Sequence, residues 1–127
     1  MAAFSDYLEG AVLDATLRNT SYSSPSTVYL ALFTSDPTDA GSGTECSGTN
    51  YARQSVAFSR TNAVASNSSA IEFPTAGNSW GTITHFGVLD ASSSGNLLYH
   101  GALTASKSIT TGDIFRVPSG DLDITLA

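Results

Sequence analysis

The sequence has few of the side chains that catalysis and tight metal binding require. Its 127 residues include one cysteine, one lysine and two histidines, and charged residues make up only 13% of the chain, where about 25% is usual. The single cysteine, Cys46, cannot form a disulfide within the chain, and a chain of this length buries enough surface to need no structural metal. We therefore expect a reduced thiol without function, no cofactor and no metal site.

Clusters of basic residues and long apolar runs are also missing. Eleven acidic and five basic residues give a net charge of -6 and a pI near 4.4, and the four arginines are scattered along the chain. Nucleic-acid binding needs clustered Lys and Arg. No apolar run approaches the ~20 residues that span a bilayer, and the N-terminus lacks the features of a secretory signal. We expect a protein synthesised in the cytoplasm that binds neither nucleic acid nor membrane.

The sequence is rich in hydroxyl side chains and in short segments that favour strands. It contains 20 serines and 15 threonines, and after residue 27 its apolar or alternating segments are separated by turn-forming residues. Segment 27–34 is apolar on both faces, which predicts a central strand covered on each side. Segment 51–60 is predicted to be one strand and segment 61–69 a polar link, and residues 122–126 alternate strictly between apolar and polar. Seven or eight such strands without interleaved helices predict a mainly β fold over residues 27–127, an antiparallel two-sheet sandwich of jelly-roll type.

One helix is predicted before these strands, over residues 4–19. Phe4, Leu8 and Val12 recur at helical spacing, and Ser5 is suited to be the N-cap. The helix has two interpretations: it packs across an open end of its own domain, or it is an arm that docks on a neighbouring subunit.

The length of the chain predicts a single domain over residues 1–127. Its longest loop, 35–50, has about sixteen residues, of which three are glycine and almost none is apolar. Loops of this length are uncommon unless they are functional or mobile. The loop is therefore a candidate contact segment that orders on docking.

The two histidines are the first candidates for chemistry. His85 and His100 lie in strands that one hairpin joins, so they are predicted to be cross-strand neighbours, but no spacing places a third metal ligand beside them. Segment 90–95 matches the first half of a calcium loop, yet Gly101 stands where a bidentate glutamate is required. A hairpin turn explains that segment better. We expect structural or surface histidines, and the alternative is a pH sensor at an interface.

Other catalytic arrangements have no better support. The loop acids fit no known ligand spacing, and Asp36 and Asp39 fit turn formation. No Gly-x-Ser-x-Gly motif occurs, and no pair of carboxylates is set apart by its pattern. Trp80 with Tyr51 and Tyr99 forms either a sugar platform or a core tryptophan with tyrosines at its rim. We expect no enzyme activity.

Several segments resemble small virion proteins of tailed bacteriophages, and the resemblance spans nearly the whole chain. The segments are Leu17-Arg-Asn19, residues 28–39, Gly43-Thr-Glu45, Tyr51-Ala-Arg53, Ile71-Glu-Phe-Pro-Thr75, residues 80–87, Gly95-Asn-Leu-Leu98, Gly101-Ala-Leu-Thr104 and Gly112-Asp113. Proteins of this kind are described as tail-fibre or virion structural proteins, and similar small β-sandwiches serve as capsid cement.

The resemblance implies a non-enzymatic, homo-oligomeric virion protein. Because the chain is one compact domain without heptads, the leading hypothesis is a capsid decoration (cement) protein bound to the major capsid protein. The alternative is a tail or tail-fibre module that contacts tail proteins and the host surface or its glycans, and a third hypothesis is a hydrolase of surface polysaccharide. The candidate interface residues are Tyr7, Leu8 and Val12 in the helix and Asp36, Asp39 and Glu45 in the loop.

Overall fold

The computed structural model describes residues 3–126, and within this range the chain forms one helix and ten strands. The helix is α1 (Asp6–Leu17), and the strands are β1 (Ala3–Phe4), β2 (Val28–Phe33), β3 (Gln54–Val56), β4 (Phe58–Thr61), β5 (Val64–Asn67), β6 (Ile71–Glu72), β7 (Gly81–Leu89), β8 (Leu97–Ile109), β9 (Arg116–Val117) and β10 (Asp123–Thr125). All strand pairs are antiparallel. The predicted mainly β fold with one N-terminal helix is confirmed.

The main sheet has five strands in the order β1-β8-β7-β2-β3. Strand β2 pairs with β7 on one side and with β3 on the other, which confirms the predicted central strand. Its side chains alternate between two buried clusters, since Leu30 and Leu32 belong to one and Ala31 and Phe33 to the other. The continuous apolar pattern of this segment follows from burial on both faces.

Two smaller sheets, β10-β5-β4 and β6-β9, form the second layer. The larger buried cluster joins Leu30 and Leu32 of β2 to Ile71 of β6 and Ile124 of β10. The core therefore lies between the main sheet and both small sheets. This divided second layer is less regular than the eight-stranded arrangement of a jelly roll.

Two strand predictions differ from the structure. The segment 51–60, predicted as one strand, is interrupted at Ala57, so that β3 joins the main sheet and β4 a small one. The segment 61–69, predicted as a polar link, contains β5. Asn67 at the end of β5 is 1% exposed, and its side chain bonds the N–H of Leu122 and the carbonyl of Pro118. Because Asn67 is polar although it is buried, the pattern of apolar residues in the sequence does not predict this strand.

The helix is shorter at both ends than the predicted 4–19, since it runs from Asp6 to Leu17 and leaves Phe4 outside. Phe4 lies in β1, which pairs with Tyr99 and His100 of β8. Phe4 is therefore part of a strand and not the first residue of the helix. Ser5 is the N-cap, because its Oγ accepts the N–H of Leu8 at 3.1 Å. The same hydroxyl donates to the carbonyl of Leu97, so it also fixes the helix to β8. At twelve residues, α1 is too short to cross a membrane, and the described residues contain no other helix.

Candidate functional site

The loop between β2 and β3 is held against the main sheet by backbone hydrogen bonds. Glu45 forms an isolated antiparallel bridge with Phe33, the N–H of Thr34 donates to the carbonyl of Thr44 at 2.9 Å, and that of Cys46 donates to Leu32 at 2.8 Å. These bonds pair residues 44–46 of the loop with residues 32–34 at the end of β2. They place the side chain of Glu45 beside the strands that follow the loop.

Glu45 is the acceptor of a dense set of hydrogen bonds from two residues. Arg53 donates from Nε to Oε2 at 2.9 Å and from Nη2 to Oε1 at 2.8 Å. The phenolic hydroxyl of Tyr51 donates to Oε2 at 2.6 Å and accepts the backbone N–H of Leu32 at 3.1 Å. The planar guanidinium matches the carboxylate in a bidentate pair. We call Glu45, Tyr51 and Arg53 the ion-pair hub.

The hub also holds the hairpin between β7 and β8. Arg53 Nη1 donates to the carbonyl of Ala91 at 2.9 Å and to that of Ser94 at 2.8 Å. Within the hairpin, the carboxylate of Asp90 accepts the backbone N–H of Asn96 at 2.7 Å, a bond that closes the predicted hairpin turn between β7 and β8. The side chain of Arg53 is only 9% exposed. One buried guanidinium therefore ties three segments together.

Burial and hydrogen bonding change the acidity of the hub residues. Burial alone would raise the pKa of the Glu45 carboxyl, but the bonds from Arg53 and Tyr51 and the charge of Arg53 outweigh it and lower that pKa. The bond to Glu45 raises the pKa of Arg53. Burial, followed by the bond to Glu45, raises the pKa of Tyr51. The hub is therefore an ionised carboxylate and guanidinium with a neutral phenol.

Beside the hub lies a cleft of about 470 Å³ between the start of α1, the 35–50 loop and the end of the 90–96 hairpin. Of the six predicted interface residues, it brings together three, Tyr7, Asp39 and Glu45. The residues that line this cleft are Ser5, Asp6, Tyr7, Phe33, Asp39, Ala40, Gly41, Gly43, Glu45, Arg53, Leu89, Ser94, Gly95, Asn96 and Leu97.

The rim of the cleft is acidic. Carboxylate oxygens of Asp6, Glu9 and Asp39 lie within 4.8 Å of one another, and all three residues are exposed. Asp39 Oδ1 also lies 2.7 Å from Nε2 of His100. Asp36 is farther from the same ring, at 3.9 Å from Nδ1, and its carboxylate accepts the N–H of Thr38 at 2.9 Å, as predicted for a turn.

The two histidines are diagonal rather than direct neighbours. His85 lies opposite Ala102, and His100 lies opposite Gly87. His85 Nδ1 is 2.8 Å from the hydroxyl of Thr84. The hairpin was predicted correctly, but the register separates the two rings by two residues and gives each its own partner.

Trp80 belongs to the core and not to a sugar platform. It is 4% exposed, its indole N–H donates to the carbonyl of Thr49 at 2.9 Å, and its ring meets Tyr51 edge-on with centroids 5.4 Å apart. Tyr99 packs against Phe4 instead. The sugar-platform alternative for these aromatics is wrong because the indole is buried.

The helix leaves much of its apolar surface exposed. Leu8 is 5% exposed and is therefore covered by the chain itself, whereas Tyr7 and Val12 are 45% and 37% exposed. Leu13 and Leu17, at 55% and 77%, are more exposed still. Sequence reasoning noticed neither of the last two as interface candidates, although their spacing of four residues places both on one helix face.

Comparison with known proteins decides the family. A family model described as Podophage GP4 fiber I protein gp80 matches residues 3–125. The chain belongs to this family. None of the curated proteins matches it. Membership in this fibre family supports a structural component of the phage virion. It favours the tail-fibre alternative over capsid decoration, which the family match does not support, and it favours a structural role over a catalytic one.

Proposed function

We propose that this protein is a non-enzymatic subunit of a podophage tail fibre, where it contacts other tail proteins and further copies of itself. The observation that carries the proposal is the fibre-family match over residues 3–125. The small, hydroxyl-rich and acidic chain agrees with a position on the outside of a particle that contains DNA, because its charge repels nucleic acid.

The exposed face of α1 supports contact with a second copy. Leu13 and Leu17 form its apolar row, and a Cβ at Gly10 on the same face would meet nothing among the described residues within 4 Å apart from the neighbouring residues and the backbone of the helix itself. Because Gly10 has no side chain, two copies of this face can pack closely. A symmetric interface uses the same patch on both subunits. The helix carries Asp6 and Glu9 in its first turn, and Arg18, which pairs with Asp14 at 3.1 Å, follows its end, so an antiparallel pair brings this arginine near the acidic first turn of the second copy.

The loop residues Asp36, Asp39 and Glu45 have different roles in this proposal. Glu45 accepts the hydrogen bonds of the ion-pair hub and stabilises the conformation of the loop. Asp36 is exposed on it, and we assign it to the outer surface that faces a neighbouring tail protein, whereas the exposed Asp39 stands at the rim of the cleft. Tyr7 lines the cleft, and Val12 lies elsewhere on the exposed surface of α1.

Deletion of the gene from the phage that encodes the protein tests the proposal. We expect particles without the protein to package DNA and to keep it on heating, but to adsorb poorly to host cells, with recovery when the protein is supplied from a plasmid. Normal adsorption combined with heads that lose their DNA would contradict a fibre role and support capsid decoration.

A further inference from the structure

We propose that the cleft beside the ion-pair hub binds an uncharged saccharide. This inference rests on the proposed function for its biological setting, since a fibre subunit that contacts the host surface meets saccharides there. The argument for the ligand comes from the size, the polar groups and the charge of the cleft.

The cleft has the size and the mixed lining of a small-ligand site. Its volume of about 470 Å³ lies within the usual range of ligand pockets, about 300–1,000 Å³. Phe33, Leu89 and Leu97, which belong to the smaller buried cluster, supply apolar lining. Gly43 keeps the loop close to the chain before it, because a Cβ there would lie 2.6 Å from Pro37 Cα. The cavity therefore has a preformed wall.

Glu45 and Arg53 of the hub line this cleft, and each keeps one hydrogen-bonding position that no described residue uses. Arg53 has five N–H groups, of which it gives two to Glu45 and one each to the carbonyls of Ala91 and Ser94. Among the described residues, one N–H of Nη2 therefore keeps no protein acceptor. Glu45 Oε1 accepts one bond and Oε2 two, so Oε1 can accept another. An adjacent donor and acceptor match two neighbouring sugar hydroxyls, each of which donates and accepts.

The charge and the aromatic group of the rim select an uncharged ligand. The carboxylates of Asp6 and Asp39 stand at the rim, and they repel phosphates, uronic acids and other anions. Carboxylates also accept hydroxyl protons well. The half-exposed ring of Tyr7 offers a flat apolar surface at the entrance. Such a ring suits the C–H face of a hexose.

The test uses the full chain on an array of neutral and acidic oligosaccharides from bacterial surfaces, with affinities then measured by calorimetry. We expect saturable binding of at least one neutral oligosaccharide at about millimolar or better and weaker binding of acidic ones. Tyr7→Ala is expected to weaken binding about tenfold, as loss of an aromatic anchor does, while Tyr7→Phe keeps it. Ala40→Trp, which fills the cleft from its rim, is expected to abolish binding.

Ile114→Ala is the matched control, since Ile114 is 50% exposed and lies outside the lining of the cleft. It should bind like the parent protein. Thermal unfolding of every variant separates lost binding from lost folding. The proposal is overturned if no neutral oligosaccharide binds, if acidic ones bind equally well, or if Tyr7→Ala and Ala40→Trp bind normally while folded. None of these results alters the gene-deletion phenotype, so the fibre role is judged separately.

Discussion

Glu45 and Arg53 form a bidentate ion pair across eight residues of sequence, with donor to acceptor distances of 2.9 and 2.8 Å. The pair joins two short motifs, Gly43-Thr-Glu45 and Tyr51-Ala-Arg53, on which the resemblance to phage virion proteins partly rests. Their meeting point is a wall of the cleft. The motifs therefore have a physical reason to occur together: they fix the 35–50 loop and the 90–96 hairpin relative to the main sheet.

Loss of the guanidinium should destabilise the protein strongly. Arg53→Ala leaves Glu45 partly buried without its cation and two hairpin carbonyls without a donor, so we expect the free energy of unfolding to fall by about 3 kcal/mol. Urea denaturation followed by circular dichroism measures the change. Arg18→Ala is the control, because the Arg18–Asp14 pair is exposed and should contribute less than about 1 kcal/mol. Equal effects of both substitutions would contradict a special role for the hub.

Acid should weaken the hub. The folded pKa of Glu45 lies below its ordinary value of 4.5, so the ionised carboxylate contributes stability that is complete above about pH 4.5 and is lost as the pH falls through the folded pKa. We expect the free energy of unfolding to decrease on acidification in this range. Glu45→Gln should be less stable than the parent at neutral pH and should show a shallower decrease. Parallel curves for the two proteins would show that another group is responsible.

Ser5 should matter more than an ordinary N-cap. Ser5→Ala removes the acceptor for the N–H of Leu8 and the donor to the carbonyl of Leu97. A lost N-cap costs about 1 kcal/mol, and a buried unpaired carbonyl adds about 1 kcal/mol or more. Thermal unfolding should therefore register about 2 kcal/mol. Thr16→Ala, which removes an exposed bond within the same helix, should change stability by less than about 0.5 kcal/mol.

Trp80 should behave as a core residue. Trp80→Ala opens a cavity beside Tyr51 and is expected to cost about 3–5 kcal/mol. Trp80→Phe keeps most of the packing but removes one of the two hydrogen bonds that the carbonyl of Thr49 accepts, the other coming from the N–H of Gly77, so a loss of about 1 kcal/mol is expected. Circular dichroism during denaturation measures both. A folded Trp80→Ala protein of unchanged stability would contradict this placement.

The exposed row of α1 should govern self-association. Multi-angle light scattering is expected to give a mass above that of one chain for the parent protein and the single-chain mass for Leu13→Ser/Leu17→Ser. Ile114→Ser, a change at another exposed apolar residue, should leave the mass unchanged. A parent protein that stays monomeric at high concentration, or a double variant with the parent's mass, would refute the proposed face.

The sequence predicted correctly those elements whose formation depends on residues close to one another in the chain. Strand β2, the β7-β8 hairpin and β10 follow from apolar runs, alternation and turn residues, and Ser5 follows from the chemistry of helix capping. Strand β5 was missed because the buried Asn67 satisfies its hydrogen bonds through distant residues. The helix has two apolar rows, and periodicity alone does not tell which of them the sheet covers.

The site was harder to predict than the fold. Tyr7, Asp39 and Glu45 were named as contact residues and do meet at one cleft, but they were not expected to share it. Arg53 was not singled out as a site residue, because its bonds to Ala91 and Ser94 cross 38 and 41 residues of sequence and depend on strand order. The short motif Tyr51-Ala-Arg53 is the only local signal it offers.

Cryo-electron microscopy of intact phage tests the central claim most directly. A fibre subunit predicts that density matching the five-stranded sheet and the helix α1 of this protein is found in the tail fibres. Density for the same fold over the junctions of the major capsid protein, with none in the fibres, would contradict the account.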